Sequence, residues 1–334
     1  MPVRRAALAR GDPAARGDRA GARRRVPLLG ESSRRACSRT DLVGAPRVST
    51  GLLVGKAALV TGGARGFGRA IAHLLAREGA DVAVADIAGE LPSEHIRGLA
   101  SPDDLDRTVS EIEALGRRAV GIQADVTRAD DCSRMAAAAL EAFGQIDILC
   151  ANAGVFSFGR SWELTEDEWD TVLAVNLKGV WATTKAVVPS MIERRYGKIV
   201  ITSSRDGLRA EPNYAHYCAS KFGVIGYMKS IAIELGPYGI NVNAVCPTQM
   251  ADKTARPADP QTPQPYWRMV TGTSSPTYEE FDEASGRENL FEDGGQPDFS
   301  DVAEGVLWLA SDRSRLVTGH ALPVDAGWIA KRGG

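Results

Sequence analysis

Long apolar runs are missing from this 334-residue chain, so no segment is expected to cross a bilayer as a helix. Cysteine is scarce: Cys37, Cys132, Cys150, Cys218 and Cys246 are odd in number and scattered, which suggests no disulfide framework and favours a reducing cytoplasm. No cluster of histidine, cysteine and carboxylate has ligand spacing, and no metal is expected. There is no internal repeat and no linker that would divide residues 52–330. Charge is unevenly spread. Of 40 basic and 42 acidic residues, the first 50 positions hold twelve arginines, no lysine and four acids, so a basic leader precedes an acidic body. The leader has neither the apolar stretch of a secretory signal nor a helical apolar face, and reads as a disordered extension. The same composition suits a targeting peptide, an arm for nucleic acid or a membrane surface, or upstream sequence from a misplaced start.

From Lys56 onward, short apolar runs alternate with helical segments. Strands are expected at Ala57–Val60, Asp81–Ala85, Ala119–Gln123, Ile146–Cys150, Lys198–Thr202, Ile240–Val245 and about Ala321–Val324, and a long helix at about Glu166–Arg194. Alternation of this kind implies βαβ units, right-handed crossovers and a parallel sheet between helical layers. The expected fold class is therefore α/β: a single Rossmann-type, doubly wound parallel sheet in three α/β/α layers, spanning 51–334, with an insertion at 87–102. Residues 248–298, rich in proline, glycine and acids, are expected to be an irregular substrate lid.

Thr61-Gly62-Gly63-Ala64-Arg65-Gly66-Phe67-Gly68 lies between the first strand and its helix. Gly62 permits a tight turn, Gly66 lets backbone approach a pyrophosphate, and Gly68 packs helix on strand, with Arg65 and Phe67 beside them. Asp86 ends the second strand, followed by Ile87; its carboxylate would accept hydrogen bonds from ribose hydroxyls and repel a 2′-phosphate, so the expected cofactor is NAD rather than NADP.

Tyr217 and Lys221 stand one helical turn apart, an ammonium beside a phenol. A phenol is a poor base at neutral pH unless a positive charge stabilises its anion, and Lys221 can supply that charge. Ser204, at the end of a strand, can hold a substrate oxygen. Together they suit removal of a proton from an alcohol while hydride leaves its carbon. Tyr214 lacks a lysine four residues on and is set aside.

With these motifs in order, residues 52–330 resemble the short-chain dehydrogenases/reductases. The matching pieces are TGGARGFG at 61–68, Asp125-Val126, Asn152-Ala153-Gly154, Asn176 within AVNLKGV, Ser204, and YCASK at 217–221. The resemblance implies Asn152, Ala153 and Gly154 against the adenosine side, Asp125 and Val126 at the adenine, Asn176 as a water-holding member of a proton relay, and a homotetramer. The insertion after Asp86, Pro247-Thr248 and LPVDAG at 322–327 resemble the mycofactocin-coupled, carveol dehydrogenase-like subgroup. That implies NAD held tightly and reoxidised in place by an external redox carrier, with Pro247 and Thr248 at the cofactor. Three positions depart from the pattern: Ala151 stands where a first asparagine is usual, Gln249 where glycine is usual, and Asp252 near the threonine expected at the nicotinamide amide, with Thr254 the nearest substitute.

Cys218 is expected to pack rather than react, and His216 to cap a loop rather than polarise a substrate. Trp162, Trp169, Trp181 and Trp308 are expected in the core or an interface, Tyr266, Trp267 and Met269 in an apolar substrate pocket, and the acids at 279, 280, 282 and 283 on a solvated face. The activity expected is NAD-dependent oxidation of a secondary or allylic alcohol on a small apolar substrate, with no nucleic-acid or membrane partner. The alternatives are an NADPH-dependent carbonyl reductase and a non-catalytic dinucleotide-binding regulator whose leader contacts nucleic acid.

Overall fold

In the computed structural model, the residues described are 51–91, 99–248, 276–291 and 297–332, with 250, 268 and 270–274 between them. The leader, residues 92–98 of the 87–102 insertion, Gln249, Asp252, Thr254, Tyr266, Trp267 and Met269 lie outside the described residues.

Among the described residues, seven strands form one sheet in the order β3-β2-β1-β4-β5-β6-β7, every neighbouring pair parallel. They are β1 (Ala57–Thr61), β2 (Asp81–Asp86), β3 (Ala119–Gln123), β4 (Ile148–Ala151), β5 (Gly197–Thr202), β6 (Ile240–Pro247) and β7 (Ala321–Val324). Side chains alternate across a strand, so each sends successive residues into opposite layers. Leu59, Leu149 and Ile199 join the core beneath α3 (Ala129–Phe143), α5 (Gly179–Arg194) and α6 (Ala215–Leu235). Ala58, Val60, Ile148 and Val200 join the core beneath α1 (Gly66–Arg77), α2 (Pro102–Ala114) and the helix at Phe299–Ala310, α8. Both faces are covered, which is why the strands read as nearly continuous apolar runs. The order reverses between β1 and β4, and a crevice at the carboxyl ends of the strands forms at that switch.

Two expectations about elements are corrected. The long helix is three pieces: α4 (Glu166–Leu173), a π turn at Ala174–Lys178 and α5. The wide turn, in which Gly179 N reaches back to Ala174 O, displaces the register where Asn176 faces the active side. The lid segment contains a helix, α7 (Tyr278–Gly286), opened by a capping box between Thr277 and Glu280. Its acids had suggested only a solvated face; Glu279 and Glu280 are exposed and favour the positive end of the helix dipole, but between them and Asp282 sits Phe281, fully buried. A last short helix, α9 (Trp328–Arg332), follows β7.

Candidate active site

The turn from β1 to α1 is shaped by backbone. Gly62 has φ +63° and a Cβ there would come within 2.9 Å of Ala153 Cα, while a Cβ on Gly68 would overlap the Gly62 carbonyl oxygen. Gly66 has φ +53° and opens onto free space. Helix α1 begins at Gly66 with no side-chain cap and no acid in its first turn, so its N–H groups and dipole are available to an anion. Arg65 is exposed at this end, and Phe67 packs edge-on against Phe299, ring centroids 4.9 Å apart.

Asp86 is buried at the end of β2, its carboxylate accepting from Ala64 N at 3.1 Å and Ala88 N at 3.3 Å. Burial raises its pKa, against the pull of those N–H groups and of Arg65. Beyond it lies a cleft of about 400 Å³ lined by Ile87, Gln123, Asp125, Asp131 and Arg134, with Val126 buried behind Asp125.

Across the crevice, the Asn152 side chain works as a strut. Its Nδ2 donates to Thr61 O and Gly62 O at 3.0 and 3.2 Å, and its Oδ1 accepts from Thr202 Oγ1 at 3.0 Å. Asn152 N and Ala153 N both donate to Thr61 Oγ1, tying β4 to β1. Gly154 is exposed, and a Cβ there would lie 3.4 Å from Asn176 Oδ1 and 3.5 Å from Lys221 Nζ. Asn176 itself grips the next residue: its Oδ1 accepts from Val155 N and its Nδ2 donates to Val155 O, both at 2.8 Å, and Nδ2 also reaches Ser220 Oγ at 3.2 Å. The side chain expected to hold water is therefore committed to the 152–155 segment.

Tyr217 and Lys221 do lie together on α6, the ammonium 5.5 Å from the phenol ring centroid. Lys221 is buried and donates to Thr202 O at 3.0 Å; burial lowers its pKa to about 8. The phenol does not behave as expected. Burial and the facing charge of Asp206 push its pKa well above the ordinary tyrosine value, and the groups pulling it down are Ser204, by a hydrogen bond, and Arg205. Ser204 is likewise not a free hydroxyl: it caps a 3₁₀ turn at Arg205–Gly207, accepting from Asp206 N at 3.1 Å and donating to Asp206 Oδ2 at 3.2 Å. Asp206 is buried, and desolvation raises its pKa to about 6.

Thr248, after β6 and Pro247, is buried and anchored by its N–H to Val324 O at 3.1 Å, its hydroxyl accepting from Arg205 Nη1 at 2.9 Å. The Arg205 guanidinium is sandwiched between acids and an aromatic face. It pairs with Glu211 at 3.1 Å and lies 3.9 Å from the centroid of Trp328, whose Nε1–H donates to Glu288 at 2.9 Å. Arg209 covers the same indole at 5.6 Å. This clamp joins the turn after Ser204 to the chain's last helix.

Asp206, Arg205 and Trp328 escaped the sequence reading because nothing in their spacing marks them; only proximity to Ser204 could have drawn attention to Asp206. His216 is fully buried in the first turn of α6, with Nε2 2.7 Å from Ser157 Oγ in the loop after β4. Trp162, Trp169, Trp181 and Trp308 are exposed rather than core residues, Trp162 at 78%. Tyr214 is buried, stacked edge-on with Phe158, and Cys218 packs beside it against Phe281.

A sequence model of the family described as short chain dehydrogenase matches residues 56–262. An uncharacterised NAD-dependent oxidoreductase of Mycobacterium tuberculosis is 38% identical over 278 residues, 83% of this chain and 97% of that protein. The (-)-trans-carveol dehydrogenase of Rhodococcus erythropolis is 37% identical over 279 residues, 83% of this chain and 98% of that one. The crystal structure of carveol dehydrogenase from Mycobacterium avium in complex with NAD superposes with a TM-score of 0.78 at 38% identity, covering 84% of this chain and 100% of that chain. The glycine turn, the acid closing β2 and the Ser204-Tyr217-Lys221 group thus belong to a short-chain dehydrogenase.

Proposed function

We propose that the chain oxidises a secondary or allylic alcohol on a small apolar substrate to the carbonyl, using NAD. The observation that carries the reading is the meeting of Tyr217, Lys221 and Ser204 beside Gly154, at the mouth of the crevice whose other end is the uncapped α1 terminus and the buried Asp86. These residues fit a dinucleotide. The α1 N–H groups and the open face at Gly66 would hold its pyrophosphate, Asp86 its adenosine ribose, Ile87, Asp125 and Val126 its adenine, and Lys221 its nicotinamide ribose. Arg65, Phe67, the 152–154 segment, Pro247 and Thr248 complete the walls. When bound, the nicotinamide ring accepts the hydrogen that leaves the carbinol carbon as hydride. Tyr217 exchanges a proton with the substrate oxygen, Ser204 sits beside that oxygen, and Asn176 holds the floor of the site through Val155.

The identity of the NAD-complexed and carveol-oxidising relatives supports the cofactor and the alcohol class. Tight retention of NAD with reoxidation by a separate carrier, and a homotetramer assembled through exposed apolar side chains such as Trp181 and Phe222, belong to the same reading. The test is to purify the protein, denature a portion and identify released nucleotide, then add carveol to the remainder. Bound NAD that becomes reduced without exchanging with free NAD supports the reading; a different nucleotide, or no reduction by any cyclic alcohol, ends it.

A further inference from the structure

Two neighbouring strands, β5 and β6, deliver the substrate side and a cofactor wall of the crevice. Their ladder ends at the pair Thr202 and Val245, with Ser203 N donating to Val245 O at 2.8 Å. Past that point Ser204 follows on one chain and Thr248 on the other. A side chain joins the two exits: Arg205 Nη1 donates to Thr248 Oγ1 at 2.9 Å. We propose that Arg205 is a positioning residue for hydride transfer, which fixes Thr248 relative to Ser204 and is itself held in place by the chain's last helix. This rests on the dehydrogenase reading above and adds what sets the spacing between its two reactants.

The guanidinium is 3% exposed and meets four segments besides its own turn. Its Nη2 pairs with Glu211, before α6, at 3.1 Å, and Nη1 reaches Thr248, after β6. Its Cζ lies 3.9 Å from the ring centroid of Trp328 on α9. Glu288, after α7, is 3.8 Å from Nη1 through the same Oε2 that accepts from Trp328 Nε1 at 2.9 Å. A planar fork can stack on one face while donating in the plane to several acceptors. The ammonium of a lysine cannot.

The helix behind it is fixed in turn. Trp328 is fully buried, Leu290 N donates to Ala326 O at 2.9 Å, and Lys331 Nζ donates to Arg287 O and Asn289 O at 2.8 and 2.7 Å. Thr248 is therefore held from two sides, by Val324 O through its N–H at 3.1 Å and by Arg205 through its hydroxyl. Misplacing one reactant by about 1 Å can cost about 10²-fold in rate, so a group that ties the two walls together acts on turnover without touching either reactant.

The experiment follows a single turnover of carveol or another cyclic alcohol at saturating NAD, normalised to reducible NAD so that any misfolded fraction drops out. Arg205→Lys and Thr248→Val should each slow it about tenfold or more, with a full primary isotope effect from carbinol-deuterated alcohol. Thr248→Ser keeps the acceptor hydroxyl and should restore the rate. The double variant should fall no further than the slower single one, because one bond is lost in both. Trp328→Phe keeps an aromatic face and should stay within about threefold of wild type, whereas Trp328→Leu should resemble Arg205→Lys. A readout without alcohol is NADH titration by nicotinamide fluorescence, where Arg205→Lys and Thr248→Val should each raise Kd about fivefold. If Arg205→Lys fails to fold, the cycle is run with Trp328→Leu and Thr248→Val. An unchanged rate per reducible NAD in Arg205→Lys, losses that multiply in the double variant, or an unmoved NADH Kd would overturn the proposal. Normal turnover in Tyr217→Phe would instead overturn the dehydrogenase reading, while an inactive Tyr217→Phe beside an unaffected Arg205→Lys would remove the positioning role alone.

Discussion

The two ends of the crevice are built from different materials. At the nucleotide end, between β1, α1 and β2, the work is done by backbone: turns only glycine can make, N–H groups with no side-chain cap, and one carboxylate held by two main-chain donors. At the catalytic end, between β5, α6 and α9, it is done by buried side chains. Lys221, Tyr217 and Asp206 all have pKa values displaced by desolvation, and Arg205 is clamped between acids and Trp328. A site that binds a dianion needs fixed dipoles, which cost nothing to keep neutral in burial; a site that moves protons needs titratable groups poised by burial, which cost stability.

That contrast can be broken in order of effect. Tyr217→Phe should lower turnover by about 10³-fold while leaving NAD affinity intact, measured by steady-state rates and by nucleotide fluorescence, since the loss falls on proton transfer alone. Trp328→Ala removes a fully buried indole and its bond to Glu288, and should lower unfolding free energy by about 3–4 kcal/mol in a denaturant titration. Gly68→Ala drives a methyl into the Gly62 carbonyl and should cost about 2–3 kcal/mol together with measurable nucleotide binding, an effect confined to the backbone-built end.

Asp206→Asn tests the opposite sign. The folded-state pKa of Asp206 is raised to about 6, so its ionised form carries a burial penalty in full above that pH, relieved as pH falls toward the ordinary carboxylate range. The variant should therefore be more stable than wild type by about 2 kcal/mol near neutral pH, with the gap closing toward about pH 4. Equal stability at all pH values would mean that the carboxyl is not strained by burial. Smallest is Asp86→Ala, which should reduce the preference for NAD over NADP by about tenfold in kcat/KM, because it removes the carboxylate that repels a 2′-phosphate.

Most of the scaffold could be read in one dimension. The edge strands β3 and β7 coincide with their expected bounds and the others differ by a residue or two; β1, β2, β4 and β5 are buried throughout, and a strand covered on both faces is apolar throughout. Helix α7 was hidden because its start is written in acids and threonine, which serve equally in loops. The burial of His216 was not legible because its partner, Ser157, is 59 positions away. Ser204 was expected to face substrate alone, and the nearby Asp206 carried no signal until the 3₁₀ turn folded it back onto the serine.

The alternation of strands and helices, the glycine turn with its acid at β2, and the presence of Tyr217 and Lys221 on one helical face follow from local patterning, since covalent geometry alone makes residues four apart neighbours on a helix. Which protons those groups hold was decided by tertiary structure. Desolvation and the facing charge of Asp206 raise the phenol's pKa against the pull of Ser204 and Arg205, and desolvation raises that of the Asp206 carboxyl to about 6.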